Sequence, residues 1–398
     1  MGKYLAIDYN LSCSGYIHNF LGADVWSKKT KNKNMETFNG YQVYWFCDNL
    51  PEDIYYVFYH YLKDRNKIII NSPMLRTWEL KRNIGINKFK EIFSDLFYIP
   101  KYLYFKDLNN IEEVIKEVKD LEEGVIKSNT SLIKNTTYHY KNLEELKNIL
   151  EMYKGEYQEG FLIQEYIKGK EVAISGFFLE SQLILPVYVN YEFKRTINKN
   201  LGNNTGQSAE FGYFTYAEEP VKIIKKLEKY FLDNGIKYTG YVDINGILSE
   251  KGYSPLEWTI SRDGHPTVLN MFIETDITVF LREKDLKIEN PFRYNLVLRA
   301  DDTELPKKQK IKFMLGKEKF KGNKYFIPEE DTKKIDEDDK YVYFENSDSD
   351  LLGYYIETSK EFKEIDINFN FGVNLIYYEN FNKEVKERYI KEWFKWKK

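Results

Sequence analysis

The stretch Gly160 to Phe178, GFLIQEYIKGKEVAISGFF, decides how the chain is read. A short apolar run at 161–163 gives way to the polar Gln164-Glu165-Tyr166-Ile167. A Lys-Gly-Lys turn and Glu171 follow, then a second apolar run at 172–178. Two strands around a polar, extended connection suit a hinge between two lobes, because such a backbone leaves N–H and C=O groups free to bond a flat base. An exposed hairpin is the other reading of the same pattern, and the flanking segments decide between the two.

Working outward, strand-like runs alternate with segments of helical spacing. On the N-terminal side 3–8, 41–47 and 67–70 read as strands and 16–26 as a helix. A second helix begins at Pro51, with Ile54, Val57, Phe58, Tyr61 and Leu62 on one face. This alternation predicts a parallel sheet with crossovers. No GxGxxG follows the first strand, so no dinucleotide site is expected there. Helices at 87–96, 110–121 and 142–153 surround a short strand, 124–127, that ends in Lys127; a polar loop at 128–137 carries Lys134. Beyond the opening stretch come a strand at 181–189, a turn-rich segment at 201–208 and a helix at 219–234. Strands at 240–248 and 255–259 follow, then a third region from 292, in which the acidic block 329–339 reads as a solvated loop.

Composition narrows the function classes. The 398 residues hold 59 Lys and Arg against 62 Asp and Glu, a net charge of −3, which argues against long duplex nucleic acid as a partner. Cys13 and Cys47 make neither a disulfide framework nor a metal set, and none of the four histidines pairs at zinc spacing. No apolar run approaches the ~20 residues of a membrane span. Met1 leads straight into a strand, so a cytoplasmic protein is expected.

Asp243 and Glu257 lie on neighbouring strand candidates. If those strands pair, both carboxylates can face one cleft, where like charges repel unless a divalent cation lies between them. Mg²⁺ bound by one or two carboxylates plus substrate phosphates is the pattern of nucleotide chemistry. Two exposed acids on opposite faces is the alternative on spacing alone. Lys127 suits a point charge on a phosphate, or else a solvent-facing strand end. The Gly202-Asn203-Asn204-Thr205-Gly206 segment suits close backbone approach to an anion, or a plain surface turn. Arg262 can clamp a carboxylate or phosphate with two parallel hydrogen bonds, while Asp263-Gly264 is also an ordinary turn signal.

In this order, Lys127, QEYIKGKE at 164–171, GNNTGQSA at 202–209, and LEWT at 256–259 with RDGHP at 262–266 resemble the motifs of the ATP-grasp superfamily. The likeness is closest to the phosphoribosylamine–glycine ligase family and covers about residues 75–275. It implies an α/β (α+β) protein of ATP-grasp fold. An N-terminal parallel-sheet pre-ATP-grasp domain would span 1–75 and connecting helices 76–105. The two-lobed ATP-grasp domain would span 106–290, hinged near 163–169, and a C-terminal domain 291–398. The implied activity is ATP- and Mg²⁺-dependent joining of a small-molecule carboxylate to an amine through an acyl phosphate, by a monomer or homodimer. Carried over by residue, Lys127 and Lys134 touch ATP phosphates, and Lys127 and Arg262 are catalytic. Gln164, Glu165 and Ile167 frame adenine, and Glu171 binds ribose. Asp243, Glu257 and Thr259 hold the metal. Lys194, Arg195, Asn203, Asn204, Thr205, Gly206, Arg262 and Asp263 face the substrates.

Three departures stand out. Thr259 replaces the family's metal-binding Asn, the loop at 128–137 has no glycine, and DYNLSCSG at 8–15 replaces a glycine-rich turn. They point to altered substrates, a nucleotide or nucleobase amine among them. The rival reading is an ATP-grasp protein that binds nucleotide or a partner without catalysis.

Overall fold

The computed structural model describes residues 4–7, 22–27, 39–47, 52–63, 65, 67–72, 75–130, 137–157, 159–197, 201–260, 270–300, 311–328, 332–347, 351–366, 375–376 and 381–388. Strands β1 (Tyr4–Ile7), β2 (Asp24–Trp26) and β3 (Val43–Phe46), helix α1 (Glu52–Lys63) and β4 (Ile68–Ile70) come first. The strands form a parallel sheet in the order β2-β1-β3-β4, as the alternation predicts. The expected helix over 16–26 is corrected at its end. Val25 and Trp26 pair with Ala6 and Ile7, and the Trp26 ring meets Phe58 edge-on at 4.7 Å. Helix α1 buries Tyr55, Phe58 and Leu62 and leaves Val57 exposed, so its apolar stripe is turned by one residue from the expected face.

Helices α2 (Arg76–Leu80) and α3 (Arg82–Phe93) lead into a second sheet. It is built from β5 (Tyr102–Phe105), α4 (Ile111–Glu117), β6 (Gly124–Ser128), β7 (Thr137–Tyr140), α5 (Leu143–Met152) and β8 (Phe161–Glu165). Its antiparallel order is β5-β8-β6-β7. Asn110 and Asn142 cap the two helices by accepting the backbone N–H of Glu112 and Glu145. Val114, Leu146 and Leu150 pack on Ile126, Phe161 and Ile163 on one face of the sheet.

Next come β9 (Lys170–Leu179), β10 (Gln182–Ile197), β11 (Leu201–Thr215), α6 (Glu218–Asp233), β12 (Gly240–Ser249), β13 (Gly252–Thr259), α7 (Ile277–Glu283) and β14 (Phe292–Ala300). They are followed by β15 (Ile311–Gly316), β16 (Lys324–Pro328), β17 (Thr332–Glu337), β18 (Tyr341–Asn346), β19 (Leu351–Ser359), β20 (Leu375–Ile376) and α8 (Phe381–Arg388). Nine of these strands make one large sheet, β13-β12-β9-β10-β11-β14-β19-β16 with β20 beside β14, so it continues past residue 290 without a break. The remaining three strands form a small sheet, β15-β18-β17.

Two expected loops prove to be strands. Residues 201–208 begin β11, where pairing with β10 overrides the turn propensity of Gly and Asn. Thr332–Glu337, within the acidic block, is an edge strand exposed after its first residue. Segment 160–178 is no hairpin: β8 belongs to the four-stranded sheet and β9 to the large one, and 166–169 carry the chain between them.

The large sheet has two unlike faces. On one, Ile174, Val189, Tyr191, Phe211, Val242 and Trp258 join Ile224, Leu227 and Phe231 of α6 in the main core. On the other, Phe177, Tyr188, Phe214 and Tyr241 pack against Ala6, Val43, Trp45 and Ile70 of the N-terminal sheet. Asn71, at φ +59°, stitches that junction. Its N–H donates to Thr239 O at 2.8 Å, and its Oδ1 accepts from Tyr241 N at 3.1 Å and Tyr238 Oη at 3.3 Å. Gly240 permits this approach: a Cβ there would lie 2.2 Å from Asn71 Oδ1. The rest of this second face is polar. Among the described residues no helix is long and apolar enough to cross a membrane.

Candidate active site

One wall of the site is the face of the four-stranded sheet turned away from its helices. The register sets Val125 against Gln164 and Lys127 against Leu162, so these four side chains share that face. Burial, with the Arg82 guanidinium and the Lys194 ammonium nearby, pulls the Lys127 ammonium down to about 8, although Glu257 and Glu171 oppose the shift. Arg82 itself donates from Nη1 to Ser128 O at 2.8 Å, fixing α3 to the end of β6. Gln164 is buried, and its Nε2 has no partner.

The facing wall is the polar part of the large sheet. Asp243 pairs with Thr259 and Asn245 with Glu257 across β12 and β13, while Asp243 pairs with Ser175 on β9. Side chains directly opposite in a sheet share a face. The strands of Asp243 and Glu257 do pair, and Asp243, Glu257 and Thr259 lie on one face of the sheet. Lys194 on β10 stands among three carboxylates, 2.5 Å from Glu171, 3.2 Å from Glu192 and 3.7 Å from Glu257. Burial alone lowers its pKa, but these carboxylates hold it well above its usual range. Asp243 is 3% exposed and accepts from Ser175 Oγ at 2.8 Å, and Tyr241 Oη donates to that same Oγ at 2.7 Å. Burial, then the Glu192 charge, pushes the Asp243 carboxyl well up.

The back of β13 explains its position. Trp258 stacks on Phe89 at 4.2 Å and donates from Nε1 to Gly85 O at 2.9 Å, so α3 sets the strand that carries Glu257. A cavity lined by Trp78, Glu79, Arg82, Ile86, Phe89 and Glu257 lies beside it.

The residues at the connection between sheets are engaged in different ways. Although burial raises its pKa, the Glu165 carboxyl is held below its usual range by Lys251 Nζ (2.6 Å), Tyr98 Oη (2.7 Å) and the Lys101 N–H (3.2 Å). Its side chain thus ties the four-stranded sheet to the β12–β13 turn. Ile167 is buried, and Glu171 bonds Lys194. Lys134, Arg262 and Asp263 lie outside the described residues. Arg195 pairs with Asn204 in the β10–β11 ladder, which also contains Asn203, Thr205 and Gly206.

Sequence reasoning missed Asn190, Glu192, Glu210, Asn245 and Arg82. The signal was present as alternation: Tyr188, Asn190, Glu192 and Lys194 recur at every second position of one strand. Asn245 matters for a metal, because its buried Oδ1 has no partner and the residue lies directly across from Glu257. A carboxylate and an amide oxygen are hard donors that fit Mg²⁺, with phosphates supplying further oxygens. Among the described residues no three His, Cys, Asp or Glu side chains form a metal cage.

Residues 89–267 match the family model of the phosphoribosylglycinamide synthetase ATP-grasp (A) domain. The fold is similar to phosphoribosylamine–glycine ligase from Thermotoga maritima, with a TM-score of 0.64 at 16% identity over 95% of this chain and 99% of that one. It is similar also to the biotin carboxylase domain of Hydrogenobacter thermophilus 2-oxoglutarate carboxylase, a structure in complex with MgADP, ADP and bicarbonate. There the TM-score is 0.54 at 12% identity, over 90% of this chain and 87% of that one. Carboxyaminoimidazole ribonucleotide synthase from Aspergillus clavatus, complexed with ATP, gives a TM-score of 0.56 at 11% identity, over 90% and 94%. No curated protein sequence matches this one.

Proposed function

Because residues 89–267 match the family model of the phosphoribosylglycinamide synthetase ATP-grasp (A) domain, we propose that the chain is an ATP-dependent ligase that joins a carboxylate to an amine. The observation that carries this is the meeting of Lys127 from one sheet with Glu171, Lys194 and Glu257 from the other. Phosphoryl transfer needs positive charge and fixed geometry more than covalent help from the protein. Lys127 meets the nucleotide phosphates as a point charge, and Lys194 balances the carboxylates opposite. The unpartnered Gln164 amide supports adenine recognition at the connection between sheets, while Glu165 holds the sheets together through Lys251.

Glu257 and Asn245, with Asp243 and Thr259 on the same face, would hold Mg²⁺; bound there, the ion neutralises phosphate charge. In the reaction the substrate carboxylate takes the γ-phosphoryl group and ADP leaves. The amine then attacks the acyl carbon, phosphate departs, and the amide nitrogen loses a proton. Arg262 and the 203–206 segment are assigned to the substrates by resemblance. An amino acid and a nucleotide or nucleobase amine are the finer substrate reading.

The test is thermal melting with ATP, ADP or AMP-PNP, with and without Mg²⁺, for the wild type and Glu257→Ala. Ligand that binds only the folded state raises the midpoint by mass action. A Mg²⁺-dependent rise that Glu257→Ala abolishes is expected; no response to any nucleotide sinks the proposal. Nucleotide binding with no ADP released across a broad set of acids and amines would favour a non-catalytic binding protein, the reading that Thr259 supports.

A further inference from the structure

Beside the phosphate region, the polar face of the large sheet continues onto β10, β11 and β14. Asn190 lies there fully buried, and neither its Oδ1 nor its Nδ2 has a partner. Its neighbours directly across are Ala173 on β9 and Gly212 on β11, which have no polar side chain to offer. Asn270 and Asn295, equally buried, donate their amide N–H groups to Glu210 Oε1 at 3.1 and 3.2 Å. Because a carboxylate can only accept, those bonds fix which amide atom is nitrogen, and both Oδ1 atoms are left without a partner. Glu210 stands opposite both Glu192 and Asn295 in the ladders, and Tyr188 Oη donates to it at 2.6 Å.

The unmet groups are therefore mostly acceptors: three amide oxygens next to two carboxylates, against a single unmet donor. Natural structures rarely leave buried acceptors open, and each one left open costs stability. What satisfies this set is a compact cation rich in N–H donors. Lys194 Nζ, 3.2 Å from Glu192, already shows an ammonium seated at its margin. Glu210 Oε1 accepts hydrogen bonds from three neutral donors, the Tyr188 hydroxyl and the Asn270 and Asn295 amides.

We propose that Asn190, Asn270 and Asn295, with Glu192 and Glu210, form a subsite for the primary ammonium of an amino-bearing substrate. The assignment to a substrate rests on the ligase reading above. It adds a place to that reading: one of the two joined molecules seats a primary ammonium among these side chains.

The experiment is thermal melting of the full chain in methylammonium, tetramethylammonium or sodium chloride at matched ionic strength, each with and without Mg²⁺ and AMP-PNP. Tetramethylammonium carries the charge but no N–H donor. Methylammonium should raise the wild-type midpoint above both controls. Asn190→Leu should lose that rise, while its ligand-free midpoint stays level or increases, since an unpartnered buried amide has been replaced by an apolar side chain of similar size. Asn295→Leu, which leaves Asn190 intact, should reduce the rise. Equal midpoints in all three salts would overturn the proposal, as would a methylammonium response preserved in both variants. So would a fall of several degrees in ligand-free Asn190→Leu, the mark of an amide held by ordered water. A methylammonium response without any nucleotide response would leave the subsite standing and remove the ligase reading; the converse would remove only the subsite.

Discussion

Lys127 makes the proposed nucleotide site sensitive to pH in a calculable way. In the ligand-free protein its ammonium titrates at about 8, since burial and the nearby Arg82 disfavour the charge. An anionic phosphate beside it favours the charge, so binding raises the pKa and takes up a proton. At pH 7 about one-tenth of ligand-free molecules carry a neutral Lys127; at pH 9 about nine-tenths do. If only the ammonium form binds well, affinity for Mg²⁺ and AMP-PNP falls roughly tenfold from pH 7 to pH 9, or about 1.4 kcal/mol. Phosphate groups titrate near pH 6, below this window. Isothermal titration calorimetry at pH 7, 8 and 9, in two buffers of different ionisation enthalpy, reads affinity and proton uptake together. Uptake near 0.1, 0.5 and 0.9 proton per site is the approximate expectation from that pKa. Lys127→Gln should bind weakly with no uptake at any of the three. Wild-type binding without proton uptake at pH 8 refutes the assignment, and so does equal uptake by the variant. The stability sign is opposite and equally checkable. A lysine with a lowered folded pKa costs stability in full below pH 8 and loses that cost as the pH rises toward its unfolded value, so Lys127→Met should melt higher than wild type at pH 7, with the gap narrowing by pH 9.

Removing Lys194 leaves Glu171, Glu192 and Glu257 without their shared cation. Lys194→Met should melt lower than wild type, and Mg²⁺ alone should raise its midpoint more than the wild type's; an equal Mg²⁺ response would count against this charge balance. Arg293 is fully buried 3.1 Å from Glu274, so Glu274→Gln strands its charge at about 3–5 kcal/mol. Burial raises the Glu274 carboxyl, but Arg293 and Asn290 hold it below its ordinary range. Its contribution is complete above the ordinary carboxylate pKa and is lost as pH falls through the depressed one. The gap between wild type and Glu274→Gln in circular-dichroism melts should close on acidification, and a gap independent of pH would contradict the pairing. In Gly85→Ala the new Cβ would lie 2.3 Å from Trp78 O and 3.0 Å from Trp258 Cδ1. Pushing α3 off β13 should cost about 1–3 kcal/mol, alter the near-UV circular dichroism of Trp258 and weaken nucleotide binding; an unchanged Trp signal would show that α3 does not set the strand.

The connection near 163–169 was legible because a glycine turn between apolar runs is a local signal, and the strands on either side of it, β8 and β9, lie in different sheets. Asp243 and Glu257 were legible as residue types on strands, and the register puts them on one face. The polar floor was not. Tyr188, Asn190, Glu192 and Lys194 alternate with apolar residues, as in any strand with one face in water; only the wall opposite turns that face inward. Strand β2 was missed for a related reason. Three residues carry too little periodicity to show, and their strand state comes from pairing with β1. At 201–208 Gly and Asn spoke for a turn, and the long β10–β11 ladder overruled them.

The junction at Asn71 bears on how small the catalytic unit can be made. Tyr238 and the Tyr241 N–H both spend hydrogen bonds on that one side chain, and Phe177 and Tyr188 share a core with Trp45 and Ile70. A chain begun at residue 76 would keep every strand of the nine-stranded sheet and of the sheet β5-β8-β6-β7. It would also bare an aromatic surface beside Ser175 and Asp243, on the same face of the large sheet. The N-terminal sheet is in this sense a side wall of the candidate site, so truncation should yield an aggregating or molten species rather than a minimal nucleotide-binding module.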